Sequence, residues 1–140
     1  MISWIIFALL SAVFAALVAI VGKVGIQSID PTLATTVRSV IMAGFLVVTA
    51  LLLGKGKLLA TIDTKALLFI ALSGIAGALS WLAYFVALRT GPAPAVAALD
   101  RLSVVFVLIF AVLFLSDHLT WKTGVGAALI TTGAILMTLR

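Results

Sequence analysis

Long apolar segments alternate with short polar ones along the whole chain. The first apolar segment contains no charged residue before Lys23, and the later segments are of similar length. A helix rises 1.5 Å per residue, so about 20 residues cross the roughly 30 Å hydrocarbon core of a bilayer. The pattern therefore predicts five membrane-spanning helices, at about residues 2–22, 32–53, 66–88, 94–115 and 122–139.

Polar and turn-forming residues mark the connections between these helices. Asp30 directly precedes Pro31, an order typical of a helix N-cap followed by proline in the first turn. Residues 54–65 are the most polar stretch and are predicted to form a loop. The connections at 89–93 and 116–121 are short. We expect a single domain over residues 1–140, without a linker.

Three charged residues interrupt the apolar segments. Arg38 lies within the second predicted helix, and the adjacent Asp100 and Arg101 lie within the fourth. Insertion scales put one ionised group at the centre of a span at about 2.5–3.5 kcal/mol. Charges at such positions need partners, and we expect Arg38 to pair with Asp100.

Several polar and aromatic side chains are predicted at matched depth in the membrane. Counted along the helices from one membrane face, Arg38 and Asp100 lie roughly 10 and 9 Å deep. Residues of the first and third helices face the same side. Together they predict a substrate cavity, lined by Lys23, Arg38, Ser80, Trp81, Tyr84, Asp100 and Arg101.

An alternative interpretation of these residues is purely structural. An Arg38–Asp100 ion pair would lock two helices together, with Arg101 extending to the membrane surface. Trp81 and Tyr84 would then belong to the aromatic belt at the interface. The sequence leaves both interpretations open.

Composition narrows the class of protein. Hydrophobic residues make up 65% of the chain and charged residues 9%, and the mean hydropathy is +1.43. So few charged side chains cannot cover a soluble domain, whereas helices suit lipid because they satisfy their own backbone hydrogen bonds. The net charge of +5 comes mostly from Lys and Arg at the ends of apolar segments, where they contact lipid headgroups rather than nucleic acid.

Several kinds of chemistry are not expected. The chain has no cysteine and a single histidine, His118, so disulfides and a metal site are not predicted. No nucleophile–base pair or phosphate-binding loop is recognisable, and we expect neither an enzyme nor a cofactor. The first apolar segment is too long for a cleavable signal peptide and lacks its small-residue cleavage site, so it should remain as the first span.

Three stretches resemble a known family. Residues 77–88 (GALSWLAYFVAL), followed by GPA at 91–93, resemble a G…SW..Y..AL..G-P/A pattern. Residues 113–121 (LFLSDHLTW) and the glycines after them resemble the end of an EamA domain, of the drug/metabolite transporter superfamily. Arg38, within ATTVR, is similar to the arginine of that family's second helix. Asp117 stands where glutamate is usual, and residues 102–104 lack the proline often seen there.

The resemblance implies an all-α integral membrane fold with one EamA unit, which is half of the family's ten-helix fold. Full-length members carry two such units in opposite orientation, and their transport path lies between them. A chain with one unit is therefore expected to pair with an inverted copy of itself, or with an oppositely oriented half-size partner.

Two features bear on that pairing. Basic residues are nearly balanced between the two predicted membrane faces, as a dual-topology homodimer requires. One face has Lys55, Lys57, Lys65 and Lys122, and the other has Lys23, Arg89 and Arg140. Gly126 and Gly133 resemble the dimerising glycines of the last helix in small multidrug transporters. The alternative is that both glycines pack against the fourth helix.

The expected function is transport of small metabolites or drug-like solutes by alternating access, in a bacterial or archaeal inner membrane. Arg38 would bind an anionic or polar group or hold Asp100, and Asp100 is the candidate proton-coupling carboxylate. The bilayer and the solute are the expected partners, besides the second copy. The competing hypothesis is a non-transporting membrane subunit, or one half of a heterodimeric flippase for lipid-linked sugars.

Overall fold

The computed structural model describes residues 3–116 and 118–139, and every regular element within them is helical. The elements in chain order are α1 (Ser3–Gly25), α2 (Pro31–Leu52), the 3₁₀ helix η1 (Lys55–Thr61), α3 (Thr64–Thr90), α4 (Ala93–Asp100), α5 (Ser103–Leu115) and α6 (Trp121–Thr138). The all-α prediction is confirmed. Asp117 and Arg140, named above for the family pattern and the charge balance, lie outside the described residues.

Within the described ranges, four segments are long and apolar enough to cross a membrane. They are Trp4–Gly25, Pro31–Leu52, Thr64–Thr90 and Ala93–Leu115, the last of which joins α4 and α5. The fifth predicted span corresponds to α6, which is a shorter helix with Lys122 in its first turn and several threonines. The count of five spans therefore stays a prediction.

Side-chain caps fix the starts of two helices. The Asp30 carboxylate accepts hydrogen bonds from the N–H groups of Thr32 at 2.9 Å and Leu33 at 3.2 Å, and Pro31 is the first residue of α2. This confirms the predicted cap, which satisfies donors that the first helical turn leaves free. At α6, Thr120 and Thr123 cap each other reciprocally.

The prediction of a simple loop at residues 54–65 was wrong. Gly54 adopts a φ of 67°, the left-handed conformation that glycine takes without strain, and this ends α2. The chain then forms η1, which packs back against α2. A high content of lysine indicates exposure to water, but it does not exclude the hydrogen bonds of a 3₁₀ turn.

The fourth predicted helix, 94–115, is divided in the structure, which corrects that prediction. The N–H groups of Arg101 and Leu102 donate to carbonyls three residues earlier, at 3.1 and 2.9 Å, instead of four. The backbone therefore tightens into one 3₁₀ turn between Asp100, the end of α4, and Ser103, the start of α5. This turn forms without a proline, at the position of the adjacent charges.

Contacts divide the chain into two compact units. Unit 1 consists of Met1–Gly22 and Thr90–Arg140, and unit 2 of Lys23–Arg89. In unit 1, α6 packs against α4 and α5. The buried apolar residues in unit 1 are alanines: Ala19, Ala95 and Ala134. Such small side chains let helices approach closely, which drives packing in membranes.

Unit 2 contains α2, η1 and α3. Its fully buried side chains are Ile26, which follows α1, and Leu88, near the end of α3. Phe85 and Thr35 are also buried. The buried side of α3 is therefore its C-terminal half, and this half carries the aromatic residues described next.

Most large apolar side chains point outward on every long helix. Phe7, Phe45, Phe69, Phe106 and Leu129 are examples, all exposed. Water would disfavour such a surface strongly, whereas lipid tails solvate it. The exposed apolar surface fits a membrane protein.

Candidate functional site

Arg38 on α2 rests against aromatic rings of α3. Its guanidinium carbon Cζ lies 3.8 Å from the centroid of the Trp81 ring and 5.6 Å from that of Phe85. A cation over an aromatic face gains about 2 kcal/mol or more when it is desolvated. The two helices of unit 2 therefore replace part of the hydration that Arg38 loses.

The rings belong to an aromatic cluster, defined as Trp81, Tyr84 and Phe85. The Trp81 ring centroid lies 5.5 Å from that of Tyr84 and 6.0 Å from that of Phe85, and the Tyr84 and Phe85 centroids are 6.1 Å apart. The structure thus places Arg38 against Trp81, and Trp81 beside Tyr84. The predicted role of these residues in substrate binding stays a prediction. Phe85 was missed, although its position four residues after Trp81 places it on the same helix face.

One nitrogen of Arg38 has no partner. Nη1 is buried and makes no hydrogen bond to any residue that the structure describes. A buried donor without an acceptor costs about 1–3 kcal/mol, and more when it is charged. The Nη1 donor of Arg38 is therefore left without an acceptor among the described residues.

Asp100 and Arg101 belong to unit 1, at the break between α4 and α5. Arg101 Nη2 lies 3.8 Å from Asp100 Oδ2, and the side chains are 54% and 36% exposed respectively. That separation is too long for a hydrogen bond, so the pair is held by charge attraction alone. Because Arg38 belongs to unit 2, its predicted pairing with Asp100 stays a prediction.

Lys23 binds the end of a helix. Its Nζ donates hydrogen bonds to the carbonyl oxygens of Leu88 at 2.6 Å and Arg89 at 3.2 Å, in the last turn of α3. These carbonyls lack donors within the helix and carry partial negative charge, so an ammonium group stabilises them. The sequence around Lys23 gives no indication of its contact with Leu88, which is 65 residues away along the chain. The predicted role of Lys23 in substrate binding stays a prediction.

The remaining predicted residues lie on open surfaces. Ser80 is exposed, one residue before Trp81 on α3. A Cβ added to Gly126 or Gly133 would meet no atom of the described chain within 4 Å. Neither glycine is therefore in close contact with a neighbouring helix, and the face of α6 that they share is open.

Unit 2 also has a groove that the sequence analysis did not predict. Its volume is about 410 Å³, and it is lined mainly by Thr32, Thr35, Thr36, Ser39, Ala78 and Leu82. The hydroxyls of Thr35, Thr36 and Ser39 donate to carbonyls four residues earlier in α2, at 2.7, 2.8 and 2.8 Å. Their donors are used within the helix, and only their acceptor lone pairs remain.

The site offers charge and aromatic surface rather than reactive groups. In the described part of the chain, no three His, Cys, Asp or Glu side chains are grouped as metal ligands would be. Arg38 supplies a fixed positive charge, and the aromatic cluster supplies an apolar face beside it. Such a combination is suited to non-covalent binding.

Comparison with known proteins gives a match over nearly the whole chain. The profile of the EamA-like transporter family matches residues 2–139. A protein of Sinorhizobium sp., described as an uncharacterized transporter in the cobO 3′ region, is 44% identical over 135 residues, which are 96% of this chain and 96% of the relative. No solved structure matches the chain. The relative therefore also has the length of one unit.

Proposed function

The chain belongs to the EamA-like transporter family, and on that premise we propose that it works as a membrane transporter and not as an enzyme. It carries small metabolites or drug-like solutes across a bacterial or archaeal inner membrane as a multi-pass protein. The solute site opens alternately to the two sides of the membrane.

The unpartnered Nη1 of Arg38 is the observation that carries this proposal. It lies in a segment apolar enough to cross a membrane, where an ionised group is costly. The aromatic cluster holds the guanidinium in place, so the charge is positioned before a solute arrives. A transported solute with an acceptor group would complete its hydrogen bonds.

We assign the coupling role to Asp100. Its carboxylate is partly exposed and lies where α4 ends in the 3₁₀ turn. Intramembrane carboxylates commonly serve as proton relays, and mid-helix 3₁₀ turns often serve as hinges. Protonation of Asp100 would weaken its attraction to Arg101 and so favour a change in helix direction.

Transport in this proposal requires an inverted second copy. In two-unit transporters of this kind, the path lies between inverted repeats, and this chain matches the family as one unit. The near balance of basic residues fits insertion in both orientations. The open glycine face of α6 offers a surface on which two copies can meet.

Transport assays of matched variants test the two assigned residues. Cells expressing the protein would be screened for growth on amino acids, organic acids and cationic drugs, and solutes that score would be followed in proteoliposomes. Arg38→Ala and Asp100→Asn should abolish transport while circular dichroism stays unchanged. Lys57→Ala, at an exposed position in η1, should transport normally. Normal transport by both Arg38→Ala and Asp100→Asn would overturn the assignment.

The orientation of the chain tests the inverted dimer. A reporter active only in the cytoplasm and one active only in the periplasm would each be fused to the C-terminus. Activity from both fusions supports two coexisting orientations. Activity from one fusion alone rules out the inverted homodimer and favours an oppositely oriented partner, or a subunit that does not transport.

A further inference from the structure

The surroundings of Arg38 indicate a chemical class of solute. Resting on the proposed transport function, we infer that the solute is a monocarboxylate with an apolar body. Its carboxylate accepts hydrogen bonds from Arg38, including one from Nη1, and its apolar body lies on the aromatic cluster.

The geometry of the guanidinium favours a carboxylate. Trp81 covers one face of the group, with Cζ 3.8 Å from the ring centroid, so a ligand must approach the N–H donors in the guanidinium plane. A carboxylate is planar and accepts two parallel hydrogen bonds from this fork. Nη1, which is buried without an acceptor, supplies one of those donors.

The charges of unit 2 favour a single negative charge on the solute. No Asp or Glu occurs within residues 31–52 or 64–90. The two acids of unit 2 precede those segments, and both accept hydrogen bonds from backbone N–H groups, Asp30 at the start of α2 and Asp63 at the start of α3. A monoanion neutralises Arg38, whereas a dianion leaves a net charge in a medium of low dielectric constant. A zwitterion brings an ammonium group for which the helices of unit 2 have no carboxylate.

The aromatic cluster favours a flat apolar body. Its ring centroids are 5.5 to 6.1 Å apart, within the range in which aromatic rings attract each other by stacking or edge contacts. A ring attached to the carboxylate would extend from Arg38 onto this surface. Benzoate is the simplest compound with both features.

Trp81 can report binding directly. The chain has three tryptophans, and the other two, Trp4 and Trp121, are 68% and 85% exposed. Replacing both by phenylalanine removes no buried side chain and leaves Trp81 as the sole tryptophan. Its fluorescence would be titrated in nanodiscs with sodium benzoate, benzamide, benzylammonium chloride and phenylalanine. These probes keep the phenyl ring and differ in the polar group that it carries; benzamide is the neutral compound nearest in shape to benzoate.

We expect benzoate to give a saturable fluorescence change. Arg38→Lys, which keeps the charge but loses the fork, should weaken binding by about tenfold, and Arg38→Gln should abolish it. Benzamide and benzylammonium should give no saturable change, and phenylalanine should bind at least about tenfold more weakly than benzoate. Val37→Ala, at the preceding and exposed position of α2, is the matched control and should bind benzoate normally.

Several results would overturn the inference. These are benzamide or benzylammonium binding as tightly as benzoate, Arg38→Gln binding benzoate normally, and no response to any probe. Uptake by proteoliposomes is scored separately on the same protein. Arg38-dependent transport of a neutral or cationic solute would refute the carboxylate while the transport function stands. Absence of any uptake would refute the transport function, whatever benzoate does.

Discussion

Arg38 makes two contributions of opposite sign to the stability of unit 2. Its contact with Trp81 is worth about 2 kcal/mol, whereas the unpartnered Nη1 costs about 1–3 kcal/mol or more. Desolvation of the ion adds a further cost. A residue that served stability alone would be better replaced by an apolar one, which supports the solute-binding role proposed for Arg38.

Arg38→Met should therefore unfold no more easily than the unmodified protein, while it loses transport. Trp81→Leu should lower the free energy of unfolding by about 2 kcal/mol, because it leaves the guanidinium without its aromatic support. The same change should cost less in the Arg38→Met background, a coupling that a double-mutant cycle measures. Equilibrium unfolding in micelles gives these values. A large loss of stability in Arg38→Met would instead favour the structural ion pair.

Lys23→Met should destabilise unit 2 because the last carbonyls of α3 lose a charged donor. Hydrogen bonds to charged groups contribute about 1.5–3 kcal/mol, and we expect a loss in that range. Lys57→Met removes the same group from an exposed position and should change stability by less than about 0.5 kcal/mol. Equal effects of the two substitutions in an unfolding titration would contradict the capping role of Lys23.

At the scale of whole helices, the length of the apolar segments predicted where helices begin and end. The polar content of the connections did not predict their structure. The predicted ends of the first three helices and the last agree with the structure within a few residues, since lipid thickness sets the apolar length. The break after Asp100 depends on which carbonyl each N–H selects, and apolar length does not encode that choice. Helical rise put Arg38 and Trp81 at similar depth, but it did not predict that they touch. The contact of Lys23 with Leu88 joins distant parts of the sequence and was not predicted either.

The break between α4 and α5 should make residue 103 tolerant of proline. Ser103 is the first residue of α5, where the N–H is not needed within the helix; the remaining cost of proline there is the helical conformation of Leu102 before it. Val107 lies inside α5, and proline there costs about 3 kcal/mol or more. We expect Ser103→Pro to cost roughly 2 kcal/mol less than Val107→Pro, as judged by thermal unfolding. Equal losses would mean that the helix is continuous through this point.

The cap of α2 should make stability depend on pH. Hydrogen bonds from the N–H groups of Leu33 and Thr32 hold the pKa of Asp30 below its ordinary value of 3.8. The ionised cap therefore stabilises the fold above that value, and the contribution disappears as the pH falls through the lowered pKa.

Asp30→Asn keeps a capping oxygen but cannot titrate in this range. Its difference in melting temperature from the unmodified protein should shrink when the pH is lowered well below 3.8. Asp30→Ala removes the cap and should be less stable than Asp30→Asn at neutral pH. A constant difference between the unmodified protein and Asp30→Asn at all pH values would exclude a charged cap.

At the scale of the whole molecule, a helix face that has no neighbour within the chain can serve as an interface with another chain. Gly126 and Gly133 are seven residues apart on α6, two helical turns, so they share one face. That face has no close neighbour in the described chain. Small residues at such positions let a second helix approach closely, which is how helices associate in lipid.

If the proposed dimer forms through this face, replacing both glycines by leucine should prevent it without unfolding the chain. A Cβ added at either position would meet no atom of the described chain within 4 Å, so the monomer should keep its helix content. Gly44→Leu adds the same bulk at another open glycine and should leave the dimer intact. Crosslinking in membranes and light scattering in detergent measure the outcome. Dimers that persist in the double leucine variant would place the interface elsewhere.

The hydrogen bonds of Lys23 also bear on the order in which the two units can fold during synthesis. Unit 2 is one continuous stretch, Lys23–Arg89, whereas unit 1 consists of the segments before and after it. Lys23 bonds the carbonyls of Leu88 and Arg89, so it joins the two ends of that stretch. During synthesis this closure is available before any of residues 90–140 has left the ribosome. Unit 2 can therefore close on itself before the second segment of unit 1 emerges from the ribosome.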